Sequence, residues 1–431
     1  MQSRSFSRFV PHFNITDPTK TLSSIYKSVK PIHIACKIVG LEPFSFAEDK
    51  EGNLSVEHSK HDFIYHLFFN SLFTILGGYT TAAFFMDQEN NTKTSISRNK
   101  FVILITIMIL LMFLITSANY FMRMKLSSSL VAFSKIDNVL LRFDMKINYE
   151  ALRKDNLGLM ILMFSSITVR SIILILLINL DVLQSLTIII AFTVKALTKY
   201  QFISFVRQLN IRFMRVNDGL QEIFNRNTNN KIILNQLDQW DDLSDQLFIM
   251  CRIHYKLCHW LRILNKAFGL QQLTSIAVSV FNILFQAYYL YYVLSGREKK
   301  TVISIVSPLI WTLDELMEIQ FLVSACAETS DNANTTPSIL HEMRNLHYNA
   351  DLEDNVQSYS LQMLHQKIQF SAMGYFVIDY TLSYSIIGAV TTYLVIFIQF
   401  DQGQKIKSEK VGNTSHKSTA TYMTPASGVV V

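Results

Sequence analysis

The sequence predicts an all-α membrane protein with seven spanning helices, its N-terminus in the cytosol and its C-terminus outside the cell. Half of the 431 residues are hydrophobic and only 17% are charged, whereas soluble domains carry about 25% charged residues. Pro and Gly are scarce, with 7 and 13 residues, which favours long helices over many short strands. The net charge of +6 is small for this length, so we expect no nucleic-acid partner.

Seven stretches are apolar over about 20 residues, the length that a helix needs to cross a bilayer. The second contains no charged residue, and the third and fourth are joined around Asp181 into a tight hairpin. The segment before Phe63 mixes charges of both signs, so we expect the first span to insert without cleavage. The predicted spans are Phe63–Met86, Phe101–Met122, Asn156–Leu180, Val182–Val206, Ala267–Val293, Val302–Val323 and Tyr375–Phe400.

Lysine and arginine in the loops set the predicted orientation. The second and fourth loops, residues 123–155 and 207–266, carry seven and nine basic residues, whereas the first and fifth loops carry three each. Because basic loops stay in the cytosol, the even-numbered loops and the N-terminus are predicted inside. This orientation is the reverse of that of a G-protein-coupled receptor, and the seventh span also lacks an Asn-Pro-x-x-Tyr motif.

A secondary transporter and a G-protein-coupled receptor are two classes of membrane protein that the span count allows. A secondary transporter would show internal repeats or helices interrupted by Gly or Pro, but only Pro308 lies inside a span and no repeat is evident. The transporter and the G-protein-coupled receptor remain alternatives. We expect no enzyme, cofactor or metal site, because no nucleophile–base pair or metal-ligand constellation stands out.

Predicted boundaries follow from the spans. We expect a cytoplasmic N-terminal segment at 1–62 and six spanning helices at 63–323, the latter including the cytoplasmic loop 207–266. Apolar residues at helical spacing in 324–374 predict a short cytoplasmic helix before the last span. The seventh span at 375–400 is then followed by an extracellular tail at 401–431.

The last span ends in a distinctive pattern, Thr392-Tyr393, five apolar residues, and then Gln399-Phe400. This pattern resembles the C-terminal signature of insect gustatory receptors. The residues that support the resemblance upstream are Gly374-Tyr375-Phe376, Asp379, Thr381, Tyr384-Ser385-Ile386-Ile387-Gly388-Ala389-Val390 and Ala325-Cys326-Ala327-Glu328-Thr329.

The resemblance implies a tetrameric, tastant-gated cation channel in the plasma membrane of sensory neurons, similar to insect olfactory receptors and built from identical or related subunits. It also implies that residues 324–374 and loop four form a cytosolic anchor, that four copies of the seventh helix surround the pore, and that each subunit has its own ligand pocket. Residues 389, 393, 396 and 400 share one helix face. The candidate pore residues are Thr392, Tyr393, Ile396, Gln399 and Phe400. Alternatively, Gln399 and Phe400 mark the membrane interface.

Charged residues inside the spans are functional candidates, because charges in lipid are costly. Counting at about 1.5 Å per residue places Lys195 and Asp314 at the same depth, below the midplane, with Lys199 and Glu318 one turn further in. These four residues are candidate ion pairs. Alternatively, the four residues lie at the inner ends of their helices, where these ends enter the hydrated cytosolic region.

Arg170 is predicted in the outer half of the third span, where no acidic residue is expected at the same depth. The polar or aromatic side chains expected near that level are Thr187, Asn282, Gln286, Ser307 and Trp311. Aromatic walls with few polar anchors suit a small organic tastant. The alternative is that Arg170 extends towards the interface or caps backbone carbonyls.

Cysteines and glycosylation sequons give two further expectations. Cys36, Cys251, Cys258 and Cys326 are all predicted on the cytosolic side, where thiols stay reduced. Among the sequons, those at Asn90 and Asn413 lie on the predicted outer side and are candidate glycosylation sites, whereas the one at Asn334 lies inside. The cysteines at 251 and 258 alternate with two histidines, but their spacing fits no common zinc finger, so we expect a buried helix face.

Overall fold

The structure of the chain is a computed structural model. It describes residues 18–42, 44–48, 54–90, 96–177, 181–229, 237–296, 300–343, 350–365 and 367–420. Within these ranges the chain is built almost entirely from helices. The helices are α1 (Pro18–Ile38), α2 (Lys60–Asn90), α3 (Ile96–Arg142), α4 (Tyr149–Leu177), α5 (Val182–Asn229), α6 (Leu237–Leu294), α7 (Val302–Met343), α8 (Ala350–Leu364) and α9 (Tyr380–Ala420).

Two short antiparallel hairpins complete the described elements. Strands β1 (Ser45–Glu48) and β2 (Leu54–Glu57) pair before α2, and β3 (Ser371–Ala372) and β4 (Phe376–Val377) pair before α9. In the second hairpin Met373 and Gly374 have φ angles of 52° and 81°. The turn thus uses the left-handed conformation that glycine adopts without cost.

Five of the described helices are far longer than a bilayer requires. Helices α3, α5, α6, α7 and α9 contain 47, 48, 58, 42 and 41 residues, and about 20 residues already cross the hydrocarbon core. In the described part of the chain, four segments are both long and apolar enough to span a membrane: Tyr149–Ile175, Val182–Asn225, Ser244–Leu294 and Tyr380–Gly403. Helix α7 carries Asp314, Glu315 and Glu318 within its apolar part, which lowers its hydropathy.

The predicted spans coincide with helices, with one correction. The seventh span was predicted to begin at Tyr375, but hairpin β3–β4 occupies its first residues and α9 begins at Tyr380. Because Phe376 and Val377 are apolar, hydropathy alone does not distinguish this hairpin from the helix that follows. Helix α9 also continues to Ala420 rather than ending at Phe400, and α1 lies in the segment for which no element was predicted.

Two compact units are distinguished within the chain. The first comprises residues 1–278 and 316–383, and the second comprises 279–315 and 384–431. In the first unit α1 packs against α3, α4 and α5. Its aromatic core includes Phe202, whose ring centroid lies 5.1 Å from that of Phe268 and 5.8 Å from that of Phe370.

A buried ion pair ties α3 to α5 in the first unit. The guanidinium of Arg212 donates to both carboxylate oxygens of Asp137, at 2.8 and 2.6 Å, and the Tyr149 hydroxyl donates to the same carboxylate at 2.6 Å. Arg212 is fully buried over the ring of Phe133, 4.5 Å from its centroid. Such bidentate geometry is what offsets the desolvation of two buried charges.

Candidate functional site

Helix α9 is exposed over most of its apolar length, and the predicted pore face is part of that exposed surface. Tyr393 and Phe400 are 54% and 71% exposed, and Thr392 and Gln399 are also exposed. Elsewhere on the helix the ring of Phe397, which is 44% exposed, meets that of Tyr288 edge-on at 6.1 Å within the second unit. Four of the candidate pore residues are therefore exposed where lipid or another copy of the chain can cover them, and Ile396 is half-buried.

The segment that leads into α9 is held by two asparagine side chains. The Asn334 amide of α7 donates to the carbonyl of Ile368 at 2.8 Å and accepts from its N–H at 2.9 Å. The Asn265 amide of α6 accepts from the N–H of Ser371 at 3.0 Å and donates to its hydroxyl at 3.3 Å. We call these contacts the two asparagine clamps.

A third contact lies between the clamps and α9. Gly269 of α6 faces the turn of hairpin β3–β4, and a Cβ atom at this position would lie 3.3 Å from the backbone nitrogen of Met373. Because that distance is shorter than an ordinary van der Waals contact, the hairpin approaches α6 more closely than a larger residue would allow. Glycine at 269 therefore sets the position of the hairpin against α6.

Three of the four charges predicted to pair inside the spans form a cluster, and Arg170 joins them. The Lys199 ammonium lies 2.8 Å from one oxygen of Glu318, and that of Lys195 lies 3.8 Å from the same oxygen. Arg170 donates to the other oxygen at 2.8 Å. All four side chains are at least 95% buried. We call Arg170, Lys195, Lys199 and Glu318 the ion cluster.

The expectation that Arg170 has no acidic neighbour is wrong. Depth counting treated the spans as parallel rods that begin in one plane, so it put Arg170 and Glu318 at different levels. The guanidinium of Arg170 nevertheless reaches the carboxylate of Glu318 at 2.8 Å. The pairing of Lys195 with Asp314 stays a prediction, because these residues belong to different units.

The remaining ligand candidates are divided between the units. Thr187 is buried in the first unit, and its hydroxyl donates to the carbonyl of Leu183 in its own helix at 2.8 Å. In the second unit Asn282 donates to Glu315 at 3.0 Å, and both are 1% exposed. Sequence reasoning missed Glu315 as the partner of Asn282. Also in the second unit, Ser307 and Trp311 are buried, and Gln286 is half-buried.

The histidine beside the paired cysteines is a hydrogen-bonded core residue. The Nε2–H of His254 donates to the carbonyl of Ala333 at 2.9 Å, and its Nδ1 lies 3.7 Å from the sulfur of Cys258. In the described part of the chain no three His, Cys, Asp or Glu side chains converge as metal ligands do. The side chains of the glycosylation candidates Asn90 and Asn413 lie outside the described residues.

Comparison with solved structures identifies the fold. The fold matches the structure of the insect olfactory receptor OR5 from Machilis hrabei with a TM-score of 0.63, at 14% identity, over 88% of this chain and 99% of that one. The structure of the same receptor in complex with eugenol matches with a TM-score of 0.57, at 13% identity, over the same shares of the two chains. The chain thus has the fold of a helical membrane receptor.

The chain belongs to the 7tm chemosensory receptor family, whose model matches residues 29–404. It is 35% identical to the putative gustatory receptor 28b of Drosophila melanogaster over 153 residues, which is 34% of this chain and 33% of that protein. It is 28% identical to the putative gustatory receptor 2a of the same species over 192 residues, 39% of this chain and 45% of that protein. These alignments span less than half of either relative. The resemblance seen in the last span is confirmed.

Proposed function

We propose that the chain is a subunit of a tastant-gated, non-selective cation channel in the plasma membrane of chemosensory neurons, assembled as a tetramer. The observation that carries this proposal is the exposure of Gln399 and Phe400 on an apolar helix. An amide in lipid is costly unless it faces water or another polar group. Four copies of α9 around an axis would remove both residues from lipid and line a path for ions.

The chemistry of such a pore follows from its residues. A ring of Phe400 side chains narrows the path and closes it by excluding water. A ring of Gln399 amides offers oxygen ligands without fixed charge, so it would pass cations with little discrimination among them. Ile396 and Tyr393 continue the same face towards the cytosol, with Thr392 beside them.

Ligand binding is proposed in the half of the helix bundle that lies on the extracellular side of the bilayer midplane. The candidates in the second unit are Asn282, Gln286, Ser307 and Trp311, and Thr187 and Arg170 of the first unit are separate candidates. A small organic tastant that contacts the four side chains of the second unit would bias the arrangement of the parts of α6 and α7 that carry them.

The test is expression of the full chain with calcium imaging across sugars, alkaloids and organic acids. Once a tastant is found, Gln399→Glu is expected to increase the permeability of calcium relative to sodium, because a ring of carboxylates attracts divalent cations. The control is Phe397→Leu, which keeps an apolar side chain where α9 contacts Tyr288 of the same unit. An unchanged permeability ratio in Gln399→Glu, with tastant responses retained, would show that this face does not line the pore.

A further inference from the structure

A cavity of about 360 Å³ opens in the first unit between α6, α7 and α8. Its volume lies in the range of pockets that hold small organic ligands, about 300–1,000 Å³. Its α6 residues precede Ala267, where the fifth predicted span begins on the cytosolic side, although they belong to the long apolar segment Ser244–Leu294. The described residues that line the cavity include none of the tastant candidates, so it is separate from the tastant site proposed above.

The walls of this cavity are aromatic and sulfur-bearing. Phe248, Tyr255 and Tyr359 supply three aromatic rings, and Cys251, Cys258 and Met363 supply polarisable sulfur. Rings and sulfur atoms both make favourable contacts with aromatic ligands. The ring centroids of Phe248 and Tyr359 lie 6.3 Å apart, so two of these walls meet. The lining is suited to a flat, apolar body.

The polar groups of the lining favour negative charge. Arg252 is the one formally charged residue among the described residues that line the cavity. It is exposed to solvent, so it lies at the mouth. Burial raises the pKa of Tyr359, so its phenol stays protonated and can donate a hydrogen bond. His254 donates to a backbone carbonyl and is thereby held in one orientation.

The cavity also touches the first asparagine clamp. Asn334 and Ile368, which form that clamp, both belong to its lining, together with Met363 at the end of α8. A molecule in the cavity would thus contact the segment that connects the anchor helix α8 to hairpin β3–β4 and α9. Occupation of the cavity would be coupled to the clamp because a ligand stabilises the arrangement it binds.

We propose that this cavity is a second, cytosolic ligand site for a small aromatic compound that carries one anionic group. The rings lie between the aromatic and sulfur-bearing walls, and the carboxylate or sulfonate lies at the mouth against the guanidinium of Arg252. The site would let the cytosol influence the channel independently of the tastant. Binding to the cavity does not require channel activity, so this proposal is tested independently of the proposed function.

The test uses the full chain in lipid nanodiscs and two fluorescent probes. Anilinonaphthalene sulfonate carries the anionic group, and phenylnaphthylamine has the same rings without it. Fluorescence from empty nanodiscs is subtracted. We expect saturable binding of both, with the sulfonate bound about tenfold more tightly, as one charge-assisted hydrogen bond to arginine would give.

Two kinds of variant locate the binding. Arg252→Gln should abolish the preference for the sulfonate, whereas Lys266→Gln, which removes an exposed charge from the same helix, should preserve it. Met363→Trp should fill the cavity and abolish binding of both probes. Gln362→Trp at the exposed rim serves the same purpose if Met363→Trp does not fold.

Three results would overturn the proposal. One is the absence of saturable binding to the assembled protein, which is also the result expected if a neighbouring copy of the chain fills the cavity. The second is equal binding of both probes to the wild type. The third is probe affinity unchanged in both tryptophan variants, which would place the probe elsewhere.

Discussion

The side-chain amide of Asn334 pairs with both backbone polar groups of Ile368, donating to its carbonyl at 2.8 Å and accepting from its N–H at 2.9 Å. This pairing imitates the contact between two β-strands, although Asn334 lies in the long helix α7 and Ile368 in the connection from α8. It holds the chain twelve residues before α9, which begins at Tyr380. The clamp therefore fixes the connection between α8 and α9 against α7.

Loss of this clamp should impair the proposed channel activity. Asn334→Asp keeps the acceptor for the Ile368 N–H but puts a carboxylate oxygen against the Ile368 carbonyl. Leaving such a group unsatisfied costs about 1–3 kcal/mol. We expect tastant-evoked currents to become smaller, with a lower midpoint of thermal unfolding. Thr335→Ala is the matched control, since Thr335 is exposed and its hydroxyl bonds only within α7. Equal behaviour of both variants would contradict the role of the clamp.

The close approach of Gly269 to hairpin β3–β4 can be tested with a matched pair of glycines. Alanine favours a helix over glycine by about 1 kcal/mol, so Gly158→Ala in α4, where the new methyl meets nothing within 4 Å, should be neutral or stabilising. Gly269→Ala gains the same helix propensity, but its added methyl group would lie 3.3 Å from Met373.

We expect Gly269→Ala to lower the thermal midpoint relative to Gly158→Ala and to shift the tastant dose–response curve. Thermal unfolding in detergent and patch recordings measure the two effects. If the two alanine variants unfold at the same temperature and respond alike, the hairpin does not depend on this contact.

Glu318 is the carboxylate on which the ion cluster converges, so its neutralisation should be strongly destabilising. Glu318→Gln would leave Arg170 and Lys199 buried with a neutral amide between them. Removing one partner of a buried ion pair costs about 3–5 kcal/mol. Surface expression and thermal stability should both fall. Glu342→Gln, which removes an exposed carboxylate near the end of the same helix, should change stability by less than about 1 kcal/mol, and a comparable loss there would contradict the prediction.

The ion pair between Asp137 and Arg212 depends on the shape of the guanidinium. Lysine at 212 keeps the charge but cannot donate two parallel hydrogen bonds to the carboxylate. Arg212→Lys should therefore lower the free energy of unfolding by about 1–3 kcal/mol. Arg215→Lys, in a solvent-exposed pair with Asp218, provides the comparison, and guanidinium or urea titration measures both. Equal stability of the two variants would argue against a bidentate pair.

Much of the helical framework could be predicted because its signals are local. An apolar run of about 20 residues predicts a span wherever it occurs, and all but one of the predicted spans begin inside a helix. The exception is informative. Residues 375–379 are apolar enough to extend the last span, but the left-handed conformation of Gly374 and the pairing of β3 with β4 form a hairpin there instead.

The candidate site was less predictable because its contacts join distant parts of the chain. The sequence identified Arg170, Lys195, Lys199 and Glu318 as charges inside spans, but the arrangement of Arg170 beside Glu318 joins residues 148 positions apart. The only sequence signal at Asn334 is a glycosylation sequon. Its role in the clamp has no local signature, because it depends on where the connection after α8 passes along α7.

By itself, the sequence determined that this protein is a helical membrane receptor, that it belongs to a chemosensory family, and that its last helix carries the distinctive residues. Those conclusions rest on composition, on apolar runs and on one motif, all of which are properties of short segments. Only the tertiary structure decided which buried charges meet, which asparagines hold the approach to α9, and where a second cavity opens. These depend on the packing of long helices, since a small tilt or axial shift changes which side chains come within hydrogen-bonding distance.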